Sequence, residues 1–236
     1  MIKLVAFDLD GTLTQHKTPL DPKNKSVLDR LSEKYSLLMV GAGQCRRIFN
    51  QLGGYPINII GNYGLQYAEY DSETKDIKIV RDQIFPVDKE SVSERIEFAR
   101  KKYGFTEYKG KSIEFHPSGC VTFPIIGTEA LIEDKLSFDP DRVKRRKIYD
   151  EICELFNDYI VFVGGSSSFD MSPRPYNKYY ALDLYCKEHG LTHDEVAFVG
   201  DDYGIGGNDE SVYKSDFKFI CVDNYLELEE ALAELL

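Results

Sequence analysis

The run Ile2-Lys3-Leu4-Val5-Ala6-Phe7 ends in Asp8-Leu9-Asp10-Gly11-Thr12, and this junction constrains the chain more than any other. The mostly apolar stretch reads as a central strand of a parallel sheet, buried on both faces. Side chains two residues apart leave a strand on the same face, so Asp8 and Asp10 are expected to face one spot. Two carboxylates about 4 Å apart repel by roughly 4 kcal/mol at an effective dielectric of about 20. They need a shared proton or a cation, and a hard divalent cation suits them best. A turn alone would account for Asp10-Gly11 but not for the second acid at Asp8.

The rest of the composition fits a globular enzyme. The chain has 236 residues, 42% of them hydrophobic, enough for one large domain or two modest ones. Its net charge of −11 argues against nucleic acid or an anionic membrane as partner, because those need clustered Lys and Arg. Any phosphate must be held locally. The five cysteines (Cys45, Cys120, Cys153, Cys186 and Cys221) are odd in number and form no Cys-x-x-Cys pair. Free thiols in a reducing cytoplasm are therefore expected, not a metal-thiolate site. No apolar run approaches the roughly 18 residues of a membrane span, and an N-terminus that enters a strand at once is not expected to be a signal peptide.

Along the chain, strand and helix signals alternate as in a parallel α/β sheet. Asp21-Pro22 reads as a cap and first helical position, opening a helix to about Tyr35. A strand over 36–40 runs into Gly41-Ala42-Gly43, a helix covers roughly 44–52, and a strand covers 57–60. Gly61-Asn62-Tyr63-Gly64 then predicts a hairpin with Ile77-Lys78-Ile79-Val80 as its return. From about 82 to 175 the order changes to helix (91–103), two strands (112–115 and 120–126), helix (141–156) and two more strands (159–163 and 167–171). That is an inserted α+β unit, edged by Phe85-Pro86 and Pro173-Arg174-Pro175. Alternation resumes with a helix over 177–189 closed by Gly190, a buried strand over 195–200 and a last strand over 217–222, after which Asp223 is expected to cap a C-terminal helix.

The second acidic constellation is Gly200-Asp201-Asp202-Tyr203-Gly204-Ile205-Gly206-Gly207-Asn208-Asp209. In a doubly wound sheet its strand lies beside the first, and ligands bind at the carboxyl ends where the strand order reverses. Asp8, Asp10 and Asp201 are expected to converge there as oxygen ligands for Mg²⁺. The glycines do not form Gly-x-Gly-x-x-Gly and do not follow the first strand, so a dinucleotide site is disfavoured.

Asp8-x-Asp10-Gly11-Thr12, Lys178 at a helix start, and Gly200-Asp201-Asp202 with Asn208-Asp209 together resemble the signature set of the haloacid dehalogenase superfamily of phosphotransferases. Within it the chain most resembles the eukaryotic-type phosphomannomutases. Gly61-Asn62-Tyr63-Gly64-Leu65, Ser112-Ile113-Glu114-Phe115, Gly164-Gly165, Ser168-Phe169-Asp170, Asn177-Lys178 and Gly206-Gly207-Asn208-Asp209 follow that family's order. The resemblance implies an α/β fold: a Rossmann-like, doubly wound core over residues 1–82 and 176–236, with an α+β cap inserted over 83–175. It implies Asp8 as the nucleophile that carries the phosphoryl group, Asp10 as general acid/base and Lys178 as a charge against the phosphoryl oxygens. It also implies Mg²⁺ held by Asp8, the Asp10 carbonyl and Asp201, with Asp202 or Asp209 in support.

The chain departs from the pattern at several of the implied substrate positions. The superfamily's Ser or Thr after the second strand is absent, so backbone N–H groups of Gly41, Ala42 and Gly43 are expected to bind phosphate instead. The positions of the family's substrate arginines fall on Lys17, near His116, on Thr128 and on Lys135. Ser168 and Asp170 remain for sugar hydroxyls, with Asn208 beside the substrate. Lysine is a point charge and threonine none, so a weakened hold on a sugar bisphosphate is expected. The reading is therefore a Mg²⁺-dependent phosphatase acting on a small phosphorylated substrate, with a sugar phosphate as the expected class. A phosphomannomutase is the alternative, and a non-catalytic sugar-phosphate-binding module the third. A homodimer through the cap is also expected. His116 reads as an ordinary strand residue, Lys144-Arg145-Arg146-Lys147 as a solvated helical stretch, and Asp139-Pro140-Asp141 as a helix cap.

Overall fold

The computed structural model describes residues 1–236, which form two compact units. The first comprises Met1–Gln83, Asn177–Gly204 and Asp209–Leu236; the second comprises Ile84–Tyr176 with Ile205–Asn208.

In the first unit, β1 (Leu4–Phe7), β2 (Ser36–Val40), β3 (Asn58–Gly61), β4 (Gln66–Asp71) and β5 (Asp76–Asp82) join two later strands, β10 (Val196–Gly200) and β11 (Lys218–Cys221). They form one seven-stranded sheet in the order β11-β10-β1-β2-β3-β4-β5. Pairing is parallel from β11 to β3 and antiparallel from β3 to β5. The order reverses between β1 and β10, where Phe7 pairs with Val199, so the acids after both strands emerge at one sheet edge.

One face of this sheet packs on α1 (Pro22–Ser32), α2 (Cys45–Gln51) and α9 (Leu228–Ala231) through Val5, Phe7, Met39, Val199, Leu28, Ile48 and Leu228. The other packs on α7 (Lys178–His189) and α8 (Glu210–Tyr213) through Leu4, Ala6, Leu38, Phe198, Leu182 and Val212. Alternate residues of β1 thus enter opposite cores, which explains its near-continuous apolar sequence. Asp21 accepts from Lys23 N ahead of Pro22, and Gly190 ends α7 in the left-handed region at φ 65°.

The second unit carries α3 (Lys89–Tyr103), β6 (Glu114–Phe115), β7 (Val121–Pro124), α4 (Ile132–Phe138), α5 (Val143–Arg146), α6 (Tyr149–Leu155), β8 (Tyr159–Phe162) and β9 (Ser168–Pro173). Its four-stranded antiparallel sheet runs β6-β7-β9-β8. Val121, Phe123, Phe169 and Met171 pack there on Val92 and Ile96 of α3 and Ile152 of α6.

Four expectations differ. Ile77–Val80 lies in β5, whose partner is β4; the strand that returns on β3 is β4, obscured in sequence because only Tyr67 and Ala68 of its six residues are fully buried. The helix expected over 141–156 is broken, because Arg142 is left-handed (φ 60°) and Ile148 leaves helical geometry between α5 and α6. The basic run in α5 is not simply solvated: Arg145 is buried, with Nε donating to Asp139 Oδ2 at 2.8 Å and Nη1 to the carbonyls of Gly164 and Ser168. At the C-terminus Asn224, not Asp223, caps the last turns by accepting from Leu226 N. Ile205–Asn208 also groups with the second unit, where Val163 N donates to Gly206 O at 2.7 Å and Arg146 Nε to Ile205 O at 3.0 Å.

Candidate active site

β1 delivers Asp8 to the sheet edge directly after Phe7, with Asp8 N donating to Val199 O at 2.9 Å. The chain then turns at Gly11, whose φ is +102°; a Cβ there would stand 2.4 Å from a carboxylate oxygen of Asp201. Only glycine permits both that backbone and that approach. Thr12 Oγ1 completes the contact by donating to Asp201 Oδ1 at 3.0 Å. Gly200, the last residue of β10, plays the same part for Asp209, since a Cβ would lie 2.6 Å from Asp209 Oδ2. That oxygen accepts from Asp202 N at 3.0 Å, while Asp209 N donates back to Asp202 O at 3.0 Å. Lys178 begins α7 after Asn177, whose side chain accepts from Tyr180 N. The fully buried Lys178 Nζ lies 2.6 Å from Asp8 Oδ1 and 2.6 Å from Asp209 Oδ1.

Carboxylate oxygens of Asp8, Asp201 and Asp209 lie within 4.8 Å of one another. Burial raises the Asp8 carboxyl, Lys178 pulls it back down, and Asp209 and Asp201 push it up again; the net direction is well above the ordinary range. Asp201 is pushed up to about 6 by burial and by repulsion from Asp209. Burial alone would lower Lys178, but Asp209 and Asp8 more than offset it and hold the ammonium above its usual range. One cation thus faces three acids, and the cluster retains an excess of negative charge. An oxygen-only donor set, with Asp8 and Asp209 buried, Asp201 half-buried and negative charge uncompensated, fits a hard divalent cation such as Mg²⁺.

Across the chain, residues 24–223 match the family model described as eukaryotic phosphomannomutase. The chain belongs to the eukaryotic phosphomannomutase family. The phosphomannomutase of Dendrobium officinale is 28% identical over 224 residues, covering 90% of this chain and 85% of that protein. Human phosphomannomutase 1 is 25% identical over 222 residues, covering 89% and 82%. Among solved structures, an IMP-bound mutant IMP-nucleotidase of Plasmodium falciparum superposes with a TM-score of 0.69 at 16% identity, over 99% of this chain and 68% of that one. A haloacid dehalogenase-like hydrolase of Bacteroides thetaiotaomicron gives a TM-score of 0.58 at 16% identity, over 98% and 92%. These two likenesses concern the fold.

In this phosphomannomutase-family chain, the structure brings together Asp8, Asp201, Asp209 and Lys178 but not the carboxylate of Asp10. Strand geometry stops at Phe7, so the same-face rule does not reach Asp10. Its Oδ1 instead accepts from Gln51 Nε2 and from Lys17 N, each at 2.7 Å, and Arg47 Nη1 lies 3.6 Å from its Oδ2. Burial works against the Asp10 charge, yet the Gln51 and Lys17 hydrogen bonds, with His16 and Arg47 nearby, bring it below the ordinary carboxyl range. Asp202 meets Asp209 through its main chain, and its carboxylate is not one of the clustered three.

In the glycine turn, Gly41 N donates to Ile60 O at 2.9 Å, so of the expected phosphate donors it is committed to the sheet, and Ala42 and Gly43 remain. Lys17 is exposed, with φ 58°. Lys135 Nζ donates to Thr128 O at 2.7 Å, and Thr128 Oγ1 accepts from Lys111 N at 3.0 Å. On β9, Ser168 Oγ donates to Gly164 O at 3.0 Å, and Asp170 Oδ1 accepts from Thr122 Oγ1 at 2.8 Å. His116 Nε2 is 3.0 Å from that same Thr122 hydroxyl, so it is tied to the Asp170 network. Asn208 groups with the second unit. Gln51 and Arg47 were not anticipated, although their four-residue spacing places them on one helix face.

Proposed function

We propose that this chain is a Mg²⁺-dependent phosphotransferase of the phosphomannomutase type, interconverting mannose 1-phosphate and mannose 6-phosphate through a phosphoryl group carried on Asp8. The observation that supports this reading best is the buried Asp8-Lys178-Asp209 arrangement, with Asp201 beside it, in a chain matched to that family over residues 24–223.

Asp8, the Asp10 carbonyl and Asp201 would hold the ion, with Asp209 in support. When bound, Mg²⁺ offsets the charge between an anionic nucleophile and an anionic phosphate. Lys178 fixes the Asp8 carboxylate by hydrogen bonding to one oxygen and leaves the other for attack at phosphorus. Asp10, held as a carboxylate by Gln51 and Lys17 N, takes the proton from the sugar hydroxyl that accepts the phosphoryl group of phospho-Asp8. The resulting bisphosphate turns around. Asp8 then attacks its second phosphate, the phosphorus–oxygen bond to the sugar breaks, and Asp10 returns the proton to the departing sugar oxygen. Ser168 and Asp170 are assigned to sugar hydroxyls.

A second reading, phosphatase action on a small sugar phosphate, draws on the Thr128–Lys135 contact. The lysine is tied to a carbonyl and the threonine carries no charge, which weakens a hold on a second phosphate. The test is to supply mannose 1-phosphate, Mg²⁺ and a trace of sugar 1,6-bisphosphate and to follow mannose 6-phosphate and inorganic phosphate together. Faster formation of mannose 6-phosphate supports the mutase. Faster release of inorganic phosphate, unaffected by the bisphosphate, replaces it with the phosphatase.

No helix is long and apolar enough to cross a membrane, and all five cysteines are free. A reducing cytoplasm is the proposed setting. Self-association through the second unit is proposed on the exposed Leu131, Ile132 and Leu136 at α4, and light scattering on the purified chain tests it.

A further inference from the structure

Gly43 is the last residue of the Gly41-Ala42-Gly43 turn. A Cβ built there would lie 2.3 Å from Arg47 Nη2, 2.4 Å from Nε and 2.7 Å from Cζ. The Arg47 guanidinium therefore occupies the volume that any side chain at position 43 would need. It is held from the other side as well: Nη1 donates to Gln51 Oε1 at 2.8 Å and stands 3.6 Å from Asp10 Oδ2. Because arginine only donates, the Gln51 amide oxygen must face it, which turns the Gln51 nitrogen toward Asp10 Oδ1 at 2.7 Å and Thr14 Oγ1 at 3.1 Å.

The turn leaves β2, the strand paired with β1, just past the Phe7–Met39 pair, so this cation stands at the same sheet edge as Asp8. Its side chain is 44% exposed, and a guanidinium with five N–H donors keeps several for a ligand after serving Gln51.

We propose that Arg47 binds the transferred phosphoryl group, its guanidinium seated in the space left open by Gly43 and presented to a phosphate monoester dianion arriving at Asp8. A planar guanidinium matches paired phosphate oxygens and is always charged. Gly43 supplies no hydroxyl of its own; its contribution is the absence of a side chain. This assignment rests on the phosphotransferase reading and adds to it a residue that touches the substrate.

The test uses the full-length chain with Arg47→Ala, Arg47→Lys, Gly43→Ala and the Gly43→Ala/Arg47→Ala double variant. Kinetics are measured with mannose 1-phosphate, and binding of inorganic phosphate is followed by calorimetry. Gly43→Ala should displace the flexible Arg47 tip without unfolding the chain, which a melting curve verifies. Both single alanine variants should raise KM and weaken inorganic phosphate by about 10-fold or more, the worth of a lost charge-assisted hydrogen bond. The double variant should be no worse than Arg47→Ala alone, because both changes remove one contact. Arg47→Lys should recover part of the loss. An Arg47→Ala variant within about twofold of the parent in both readouts, or single losses that multiply in the double variant, would overturn the assignment. A parent chain that neither turns over phosphate monoesters nor binds inorganic phosphate would instead remove the phosphotransferase reading beneath it.

Discussion

Replacing Lys178 with Met isolates what the buried ammonium does. Met preserves the length and apolar volume of the side chain but leaves Asp8, Asp201 and Asp209 facing one another without a cation. At an effective dielectric of about 20, each contact at 2.6 Å is worth roughly 6 kcal/mol of attraction before solvation is counted. Part of that returns, because the variant no longer buries an ammonium and Asp8 can take up a proton. Removing one partner of a buried pair typically leaves a net loss of about 3–5 kcal/mol. For a chain of this size each kcal/mol moves the melting midpoint by about 2–4 °C, so the first unit should melt roughly 6–20 °C lower. The assay is circular dichroism melting in chelator-treated buffer near neutral pH, repeated with millimolar Mg²⁺. The ion should recover more of the loss in Lys178→Met than it adds to the parent, since the variant's acids are less neutralised. A metal-free midpoint within about 2 °C of the parent would refute the charge argument, because no relaxation of apolar packing could conceal a deficit of that size.

Asp8→Asn should reduce turnover by about three orders of magnitude or more, measured as phosphoryl transfer from mannose 1-phosphate. Because it removes one of three crowded acids, it should melt no lower than the parent in metal-free buffer. Gly11→Ala forces a Cβ to within 2.4 Å of Asp201 at φ +102°, and should cost roughly 1–3 kcal/mol by urea unfolding while raising the Mg²⁺ concentration needed for activity. In the second unit, burial opposes the Asp139 charge, but the Arg145 hydrogen bond and the amides of Lys144 and Arg145 hold its carboxyl below the usual range. With the folded value depressed, its stabilisation is present above the unfolded carboxyl value of about 3.9 and is lost as pH falls through the folded one. Melting of the second unit should therefore show an acid step below about pH 4 that Asp139→Asn lacks; an unchanged step in the variant would assign it to other carboxyls.

The sheet was legible because its central strands are buried on both faces and so cannot avoid continuous apolar runs: Leu4–Phe7 and Val196–Gly200 announce themselves, and each ends in acid. β4 was illegible for the opposite reason. It exposes Glu69, half-buries Gln66, Tyr70 and Asp71 and buries only Tyr67 and Ala68 deeply, so its pattern matches a polar loop as well as a strand. The same asymmetry holds in the site. Asp8 and Asp201 could be placed because apolar strands lead directly into them, whereas Lys178 was placed only through the family resemblance. Asp10 lies past the last paired residue of β1, where strand alternation no longer applies, and its direction is set by Gln51, 41 residues on in a helix. Arg145 was misread because a run of four basic residues looks solvated until a buried Asp139 and three carbonyls are found around one of them.

On the proposed phosphotransferase reading, the choice between water and a sugar as acceptor is expected to lie outside the Asp8 cluster, because Asp8, Lys178 and the neighbouring acids would serve both reactions equally. It must lie in how long a bisphosphate is retained after the first transfer. On that reading, retention would depend on cations for the distal phosphate, a role the family resemblance assigns to Thr128 and Lys135; Lys135 Nζ donates to Thr128 O. An arginine at Thr128 would add a bidentate donor where there is now none. Thr128→Arg should accordingly raise the ratio of mannose 6-phosphate formed to inorganic phosphate released, with little change in the first transfer to Asp8. A variant that instead accelerates both products in parallel would place the partition elsewhere, in the access of water to phospho-Asp8.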